Sequence, residues 1–410
     1  MAADLEIEYG GRFQTDLRFK VAGHEAGTWY DPKPTQDIAF NQNLLNLRLT
    51  AKMGRFSGVA DVDFVLTGFP NQWIALDDMD DRTLYHPFRF DVHSLYFEAR
   101  DLFFPGFDLR VGYQLIQFGV GDQFNPTNTV NPNDLQDPLL FGDQQGVFAV
   151  RSDINIGPAF TFTAALIPVF TPALLPSTGP LALSAVERLP FLEESVRLKM
   201  ASEKGVGEQF GYPTIVGDVN AKLPDFNAKN MQFFVRAGGF VGMQDIGLSF
   251  YQGFSDVPVA VATHTTQTQY ADPVCNPDDD EDCIDGRLEN NVTLEFPRIR
   301  VLGFNMAGEI PLGKLPGLGY RIEAAVVFPN KVEHVVTTDE VTIAGVTSPA
   351  GEYDYGLGDG VRPTVLSNTP YAKWVLGIDY SFGAHVYLNA QWVHGMFDDT
   401  GAGDFITPDY

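Results

Sequence analysis

Cysteine is nearly absent, two residues in 410, Cys275 and Cys283. Two thiols exclude a disulfide-built scaffold and a four-thiolate metal centre. Positive charge is scarce too: 27 Lys and Arg stand against 53 Asp and Glu, a formal net charge of −26. Such a chain is no general nucleic-acid binder, because that binding rests on neutralising phosphates. The start, Met1-Ala2-Ala3-Asp4, has neither a basic nor an apolar leader region. It reads as a cytosolic chain or as a mature chain whose signal peptide has been removed. The long uncharged stretch from Ile154 to Val186 holds Pro158, Pro168, Pro172, Pro176 and Pro180. Prolines at that density rule out a transmembrane helix there.

Catalytic signatures are missing as well. The seven histidines (His24, His86, His93, His264, His334, His385, His394) are scattered, with no His-Glu-x-x-His among them. A nucleophile elbow and a phosphate-binding loop are also absent. The expectation is a protein that is not an enzyme and has no cofactor.

Aromatics, by contrast, make up 13 % of the chain, with 40 Gly and 27 Pro, a composition of strands and turns. The strongest signal is a period of two. Leu5, Ile7, Tyr9, Gly11, Phe13, Thr15, Leu17 and Phe19 alternate with Glu6, Glu8, Gly10, Arg12, Gln14, Asp16 and Arg18. A helix repeats its apolar face every 3.6 residues and cannot produce this pattern. Similar runs are Leu45–Met53, Ala60–Leu66, Leu95–Ala99, Phe107–Leu115, Phe160–Leu166, Leu302–Met306, Tyr320–Phe328, Trp374–Phe382 and Val386–Trp392. Several exceed the five or six residues usual in soluble strands and reach the roughly 9–11 that cross a bilayer. Tyr113, Phe328, Tyr380, Phe382 and Trp392 stand at run ends, where an interfacial aromatic girdle lies. The reading is all-β: a transmembrane antiparallel β-barrel of about 14–18 strands in a bacterial outer membrane, with residues 1–410 as one domain. A large soluble β-protein is the alternative.

Short connections, such as Gly54-Arg55 and Asp101–Gly106, alternate with long ones, such as Asp77–Asp81 and Thr337–Asn368. The longest interruption, 171–230, is expected to be a constriction, plug or lid. Inside it Leu181–Met200 has helix formers broken at Pro190. A second insertion, 271–290, is an acidic loop in which a disulfide between Cys275 and Cys283 is the default pairing for an oxidising compartment. Calcium in the acidic loops stays open as an alternative, although the spacing before Gly286 does not match a calcium-hand loop.

One segment is distinctive. Gly112, Gln114, Gly121, Asp122, Asn131, Pro132 and Asp134 form a strand ending in Gly-x-Gln, then a Gly-Asp turn, then Asn-Pro-x-Asp. This resembles the proteobacterial outer-membrane family known as domain of unknown function 1302 and, more distantly, alginate-exporter-like porins. That family carries a Trp before the Gly, where this chain has Phe118 and Val120, and a middle Asp where it has Asn128 or Thr129. The resemblance implies an outer-membrane barrel. Asn-Pro pairs with flanking Asp also favour a plain turn-forming role for Gln114, Asp122, Asn131 and Asp134. The alternative is a loop that enters the lumen and helps to define its constriction.

If the apolar faces meet lipid, then Arg12, Arg18, Arg48, Lys52, Arg100, Arg110, Arg321 and Lys373 face the lumen, among carboxylates that include Glu98, Asp108, Glu323 and Asp379. Basic groups along a low-dielectric wall attract anions, and Arg12, Arg48, Arg100 and Arg110 could form a ladder, unless the carboxylates neutralise them. The expected function is a channel or transporter for a polar, anionic solute or a saccharide. Transport of an apolar lipid or hydrocarbon, and a structural or adhesive barrel with a plugged lumen, are the alternatives. Expected partners are outer-membrane lipid, the solute, and periplasmic or inner-membrane transport proteins, with no nucleic acid.

Overall fold

The computed structural model describes residues 4–19, 38–67, 88–122, 124–135, 143–175, 191–269, 286–313, 315–343, 345–358, 360–383, 385–395 and 400–401. Cys275, Cys283 and the runs 77–81 and 176–190 lie outside them. The chain divides into two compact units, residues 1–115 with 146–154, and residues 116–145 with 155–410.

The first unit is an antiparallel meander. Its strands are β1 (Leu5–Phe19), β2 (Ile38–Met53), β3 (Phe56–Thr67), β4 (Phe88–Ala99), β5 (Phe107–Gln114) and β6 (Val147–Ile156), paired in chain order. β1 spans 15 residues and β2 16, well beyond soluble norms. The β2–β3 connection is a two-residue turn at Gly54, whose φ of 62° suits glycine. By contrast, β5 and β6 are joined through the long stretch 115–146.

The second unit opens with β7 (Phe160–Ile167), α1 (Glu194–Gln209), β8 (Thr214–Lys222), β9 (Gln232–Val241) and β10 (Gln244–Phe254). β11 (Val259–Gln269), β12 (Arg287–Glu295), β13 (Arg298–Leu312) and β14 (Leu315–Pro329) follow. Five short strands come next: β15 (Val332–Glu333), β16 (Val335–Thr338), β17 (Val341–Ile343), β18 (Val346–Ser348) and β19 (Gly351–Glu352). The chain ends with β20 (Thr364–Leu366), β21 (Tyr371–Phe382) and β22 (Val386–His394).

Seven of these strands form an antiparallel meander in the order β7-β9-β10-β13-β14-β21-β22. A smaller mixed sheet, β19-β16-β11-β12-β8, is built from the connections that leave the meander after β7, β10 and β14. The fold class is therefore all-β, as expected. The two meanders contribute six and seven strands among the described residues, and barrel closure is not among the described pairings.

In both meanders burial is inverted relative to a soluble protein. On β3, Asp63 is 2 % exposed while its neighbour Phe64 is 47 % exposed. On β4, Glu98 is buried and Phe97 is 51 % exposed. On β14 Glu323 is completely buried, whereas Leu302, Leu376 and Ile378 on nearby strands are exposed. Period-two strands make this possible, since one parity carries Phe and Leu and the other carries charge.

The smaller sheet obeys the opposite rule. Leu192, Val196, Ala260, Val292, Leu294, Val336, Tyr355 and Val365 bury one another in an ordinary apolar core. Of the helix formers noted over 181–200, those beyond Pro190 enter α1, which runs from Glu194 to Gln209 and inserts Val196 into that core. The stretch 337–368, expected as a loop, contains β17 to β20 and the end of β16. Within the 171–230 insertion, α1 and β8 thus join a small subdomain with its own core, whereas Leu174 pairs with Asn133 and Leu135.

Candidate functional site

After Gln114 the backbone leaves the ladder, and the described residues of 116–135 fold onto the polar face of the second unit's meander, the one that carries Arg321 and Glu323. Two glycines permit this course. Gly112 has φ of 135°, and a Cβ there would lie 2.7 Å from Tyr96 Cα. Gly119 has φ of 102°, and a Cβ there would lie 2.7 and 2.8 Å from the two Glu323 oxygens. Only glycine allows both that conformation and that approach.

The segment is knitted to itself. Asn131 accepts from the Ile116 amide at 3.0 Å and donates to its carbonyl at 2.9 Å, imitating a strand pair. Asn128 donates to Gln144 at 2.6 Å. Asp134 pairs through its backbone, donating to the Asp143 carbonyl at 2.8 Å. The neighbouring Asn133 gives its backbone and side-chain N–H groups to Asp256, each at 2.8 Å. Gln114 is buried in the first unit and donates to Ala149 at 3.1 Å.

Two carboxylates fasten the segment to the wall, and they work in opposite directions. Glu323, on β14, receives the amides of Val120 at 2.7 Å, Gly121 at 2.9 Å and Thr127 at 3.0 Å, and the Thr127 hydroxyl at 2.7 Å. A buried carboxylate is tolerable only when its lone pairs are filled, and here both oxygens are engaged by the loop. Asp122, on the loop, is gripped by the wall. Arg321 on β14 donates to one of its oxygens, while Asn389, at 2.6 Å, and Gln391 on β22 donate to the other. The other arm of the Arg321 fork bonds Asp379 of β21 at 2.9 Å. Phe118 stacks on Phe234 of β9 with ring centroids 4.6 Å apart, adding an apolar contact to the same docking.

Four of the remaining basic candidates pair with carboxylates of their own unit. Arg48 pairs with Asp61 at 3.1 Å and Lys52 with Glu8 at 2.7 Å. Glu98 receives Arg100 at 3.0 Å and Arg110 at 2.7 Å. Arg12 is exposed on β1 opposite Asn46, and the side chain of Arg18 lies outside the described residues. Lys373 is buried on β21, its ammonium 5.7 Å from the centre of the Tyr371 ring. Arg321 and Asp122 thus meet in one cluster. Thr127, Asn389 and Gln391, which complete it, were not among the sequence candidates. Their signal was only that Asn389 and Gln391 fall on the polar parity of β22.

No group of metal-binding side chains occurs among the described residues. No family model matches the sequence, and no curated protein matches it either. Among solved structures, the copper transporter OprC aligns over 92 % of this chain and 47 % of its own, at 10 % identity and a TM-score of 0.27. The high-pH structure of Pseudomonas putida OprB aligns over 92 % of this chain and 85 % of its own, at 12 % identity and a TM-score of 0.26. The chain spans about half the length of OprC. Alignments this loose leave the chain's own geometry to carry the function.

Proposed function

We propose that the protein is an outer-membrane β-barrel channel that passes a polar, anionic solute or a saccharide, with residues 116–135 as its constriction. The observation that carries this reading is the inverted burial of the meander strands, with Glu323 enclosed and Phe97 half exposed. Exposed rows of Phe and Leu on long strands are costly in water and favourable in hydrocarbon, whereas a polar interior suits a hydrated path. Short turns alternating with long connections in each unit fit the same reading, as periplasmic turns and external loops do in such barrels. Arg48, Lys52, Arg100, Arg110 and Arg321 sit on the polar parity next to carboxylates, so the path would offer paired charges to a solute.

Planar-bilayer recording tests the proposal. Purified protein should give stepwise current with a reversal potential displaced toward anions in a salt gradient. A monodisperse, detergent-free protein that produces no current would overturn it.

A further inference from the structure

The grip on Asp122 is a carboxylate receptor assembled from the wall. Its donors, Arg321, Asn389 and Gln391, come from two strands, β14 and β22, that the intervening β21 holds in register. They converge on the two oxygens of one carboxylate. One guanidinium arm beside two amide N–H groups is suited to a carboxylate's two oxygens and gains little from a neutral hydroxyl. The carboxylate that fills the receptor belongs to the chain itself. Unlike Glu323, it is not sealed in: the Asp122 side chain is 43 % exposed and the Arg321 side chain 18 %.

We infer that Arg321, Asn389 and Gln391 form a binding subsite for the carboxylate of a small organic anion, and that Asp122 occupies it as a tethered competitor. The inference rests on the channel reading only for the route by which the solute arrives. A competitor on a short tether acts like a free ligand at roughly millimolar concentration. Solute carboxylate at that level therefore exchanges with Asp122 and displaces its side chain from the receptor, while Glu323 keeps the flanking amides of Val120, Gly121 and Thr127 seated. Asp379 shares the Arg321 charge, which keeps binding modest and release fast, as a conducting path requires.

The test uses the folded full-length protein in detergent and acetate labelled with carbon-13 at its carboxyl group, with affinity read from resonance broadening. Asp122→Ala should bind acetate about tenfold or more tightly than the native chain. Asp122→Ala combined with Arg321→Gln should return to the native level. A heat-modifiable band on electrophoresis certifies folding. If Asp122→Ala does not fold, Asp122→Asn, which keeps the volume and removes the charge, should show the same rise. Equal acetate affinity in the native and Asp122-substituted proteins would overturn the inference, as would a rise that survives Arg321→Gln. Failure of the channel reading looks different: no variant conducts, yet the order of acetate affinities stands.

Discussion

Glu323 and Asp122 hold the same loop, but burial separates what each can do. Breaking a buried, fully bonded charge commonly costs about 3–5 kcal/mol. Glu323→Gln keeps the shape but removes the charge and turns an amide N–H₂ toward two of the four donors, so a loss of about 2–4 kcal/mol is expected. Urea unfolding in detergent checks it, and the amides of Val120, Gly121 and Thr127 should exchange faster with solvent. His334 makes a second residue-scale prediction. It is buried in the small subdomain, with Nε2 3.1 Å from the Thr263 hydroxyl, and burial pushes its pKa down to about 4. The unfolded chain, with a histidine pKa near 6.5, takes up a proton that the folded subdomain refuses. Stability is therefore complete above pH ~6.5 and falls as the pH drops toward 4, by about 3 kcal/mol in all. Thermal unfolding of the subdomain at pH 7.5 and pH 5 should show this loss, and His334→Gln should flatten it.

At the scale of elements, strands and turns were readable and the docking of the loop was not. The parity of β14 is plain in Tyr320, Ile322 and Ala324 against Arg321 and Glu323, because a pleated strand presents alternate residues to opposite faces. What Glu323 holds is not readable, since its donors stand about 200 residues earlier and no local pattern encodes a contact across that distance. The break at Pro190 was legible for a local reason, since a proline ring obstructs a continuous helix, and α1 lies wholly beyond it. Similarly, the arginines were legible as lying on the polar parity of their strands, while their partners, such as Glu98 for both Arg100 and Arg110, depend on strand register. The loop yields a prediction of its own. Gly119→Ala places a methyl group against the Glu323 oxygens at a φ that disfavours side chains. The loop should lift from the wall, raising single-channel conductance while leaving heat-modifiability intact. Unchanged conductance would mean that residues 116–135 do not set the width of the path.

On the scale of the molecule, one chain is built for two solvents. The meanders expose apolar side chains and enclose charge, while the sheet of β8, β11, β12, β16 and β19 hides apolar side chains around Val196 and Leu294. Denaturants that weaken apolar burial act on the second kind of core directly, and detergent or lipid shields the first. Urea should therefore unfold the protein in two steps. The small subdomain should melt first, at a midpoint that falls below pH 6.5, and the meander later, at a midpoint that tracks the lipid or detergent used. A single coincident transition seen by probes in both parts would contradict this.

The long span between the two ends of each latch also orders events in time. The loop that carries Val120 is made early in the chain, yet Glu323 lies 203 residues later and Gln391 lies 269 residues beyond Asp122. Contacts between such distant segments form slowly, because most of the intervening chain must first find its place. Until β14 and β22 are in register, the loop has nowhere to bind. In the proposed channel the passage would therefore be wide while the protein assembles and narrow only with the arrival of the final hairpin. Pulse labelling during refolding should find the amides of residues 120, 121 and 127 among the last to be protected.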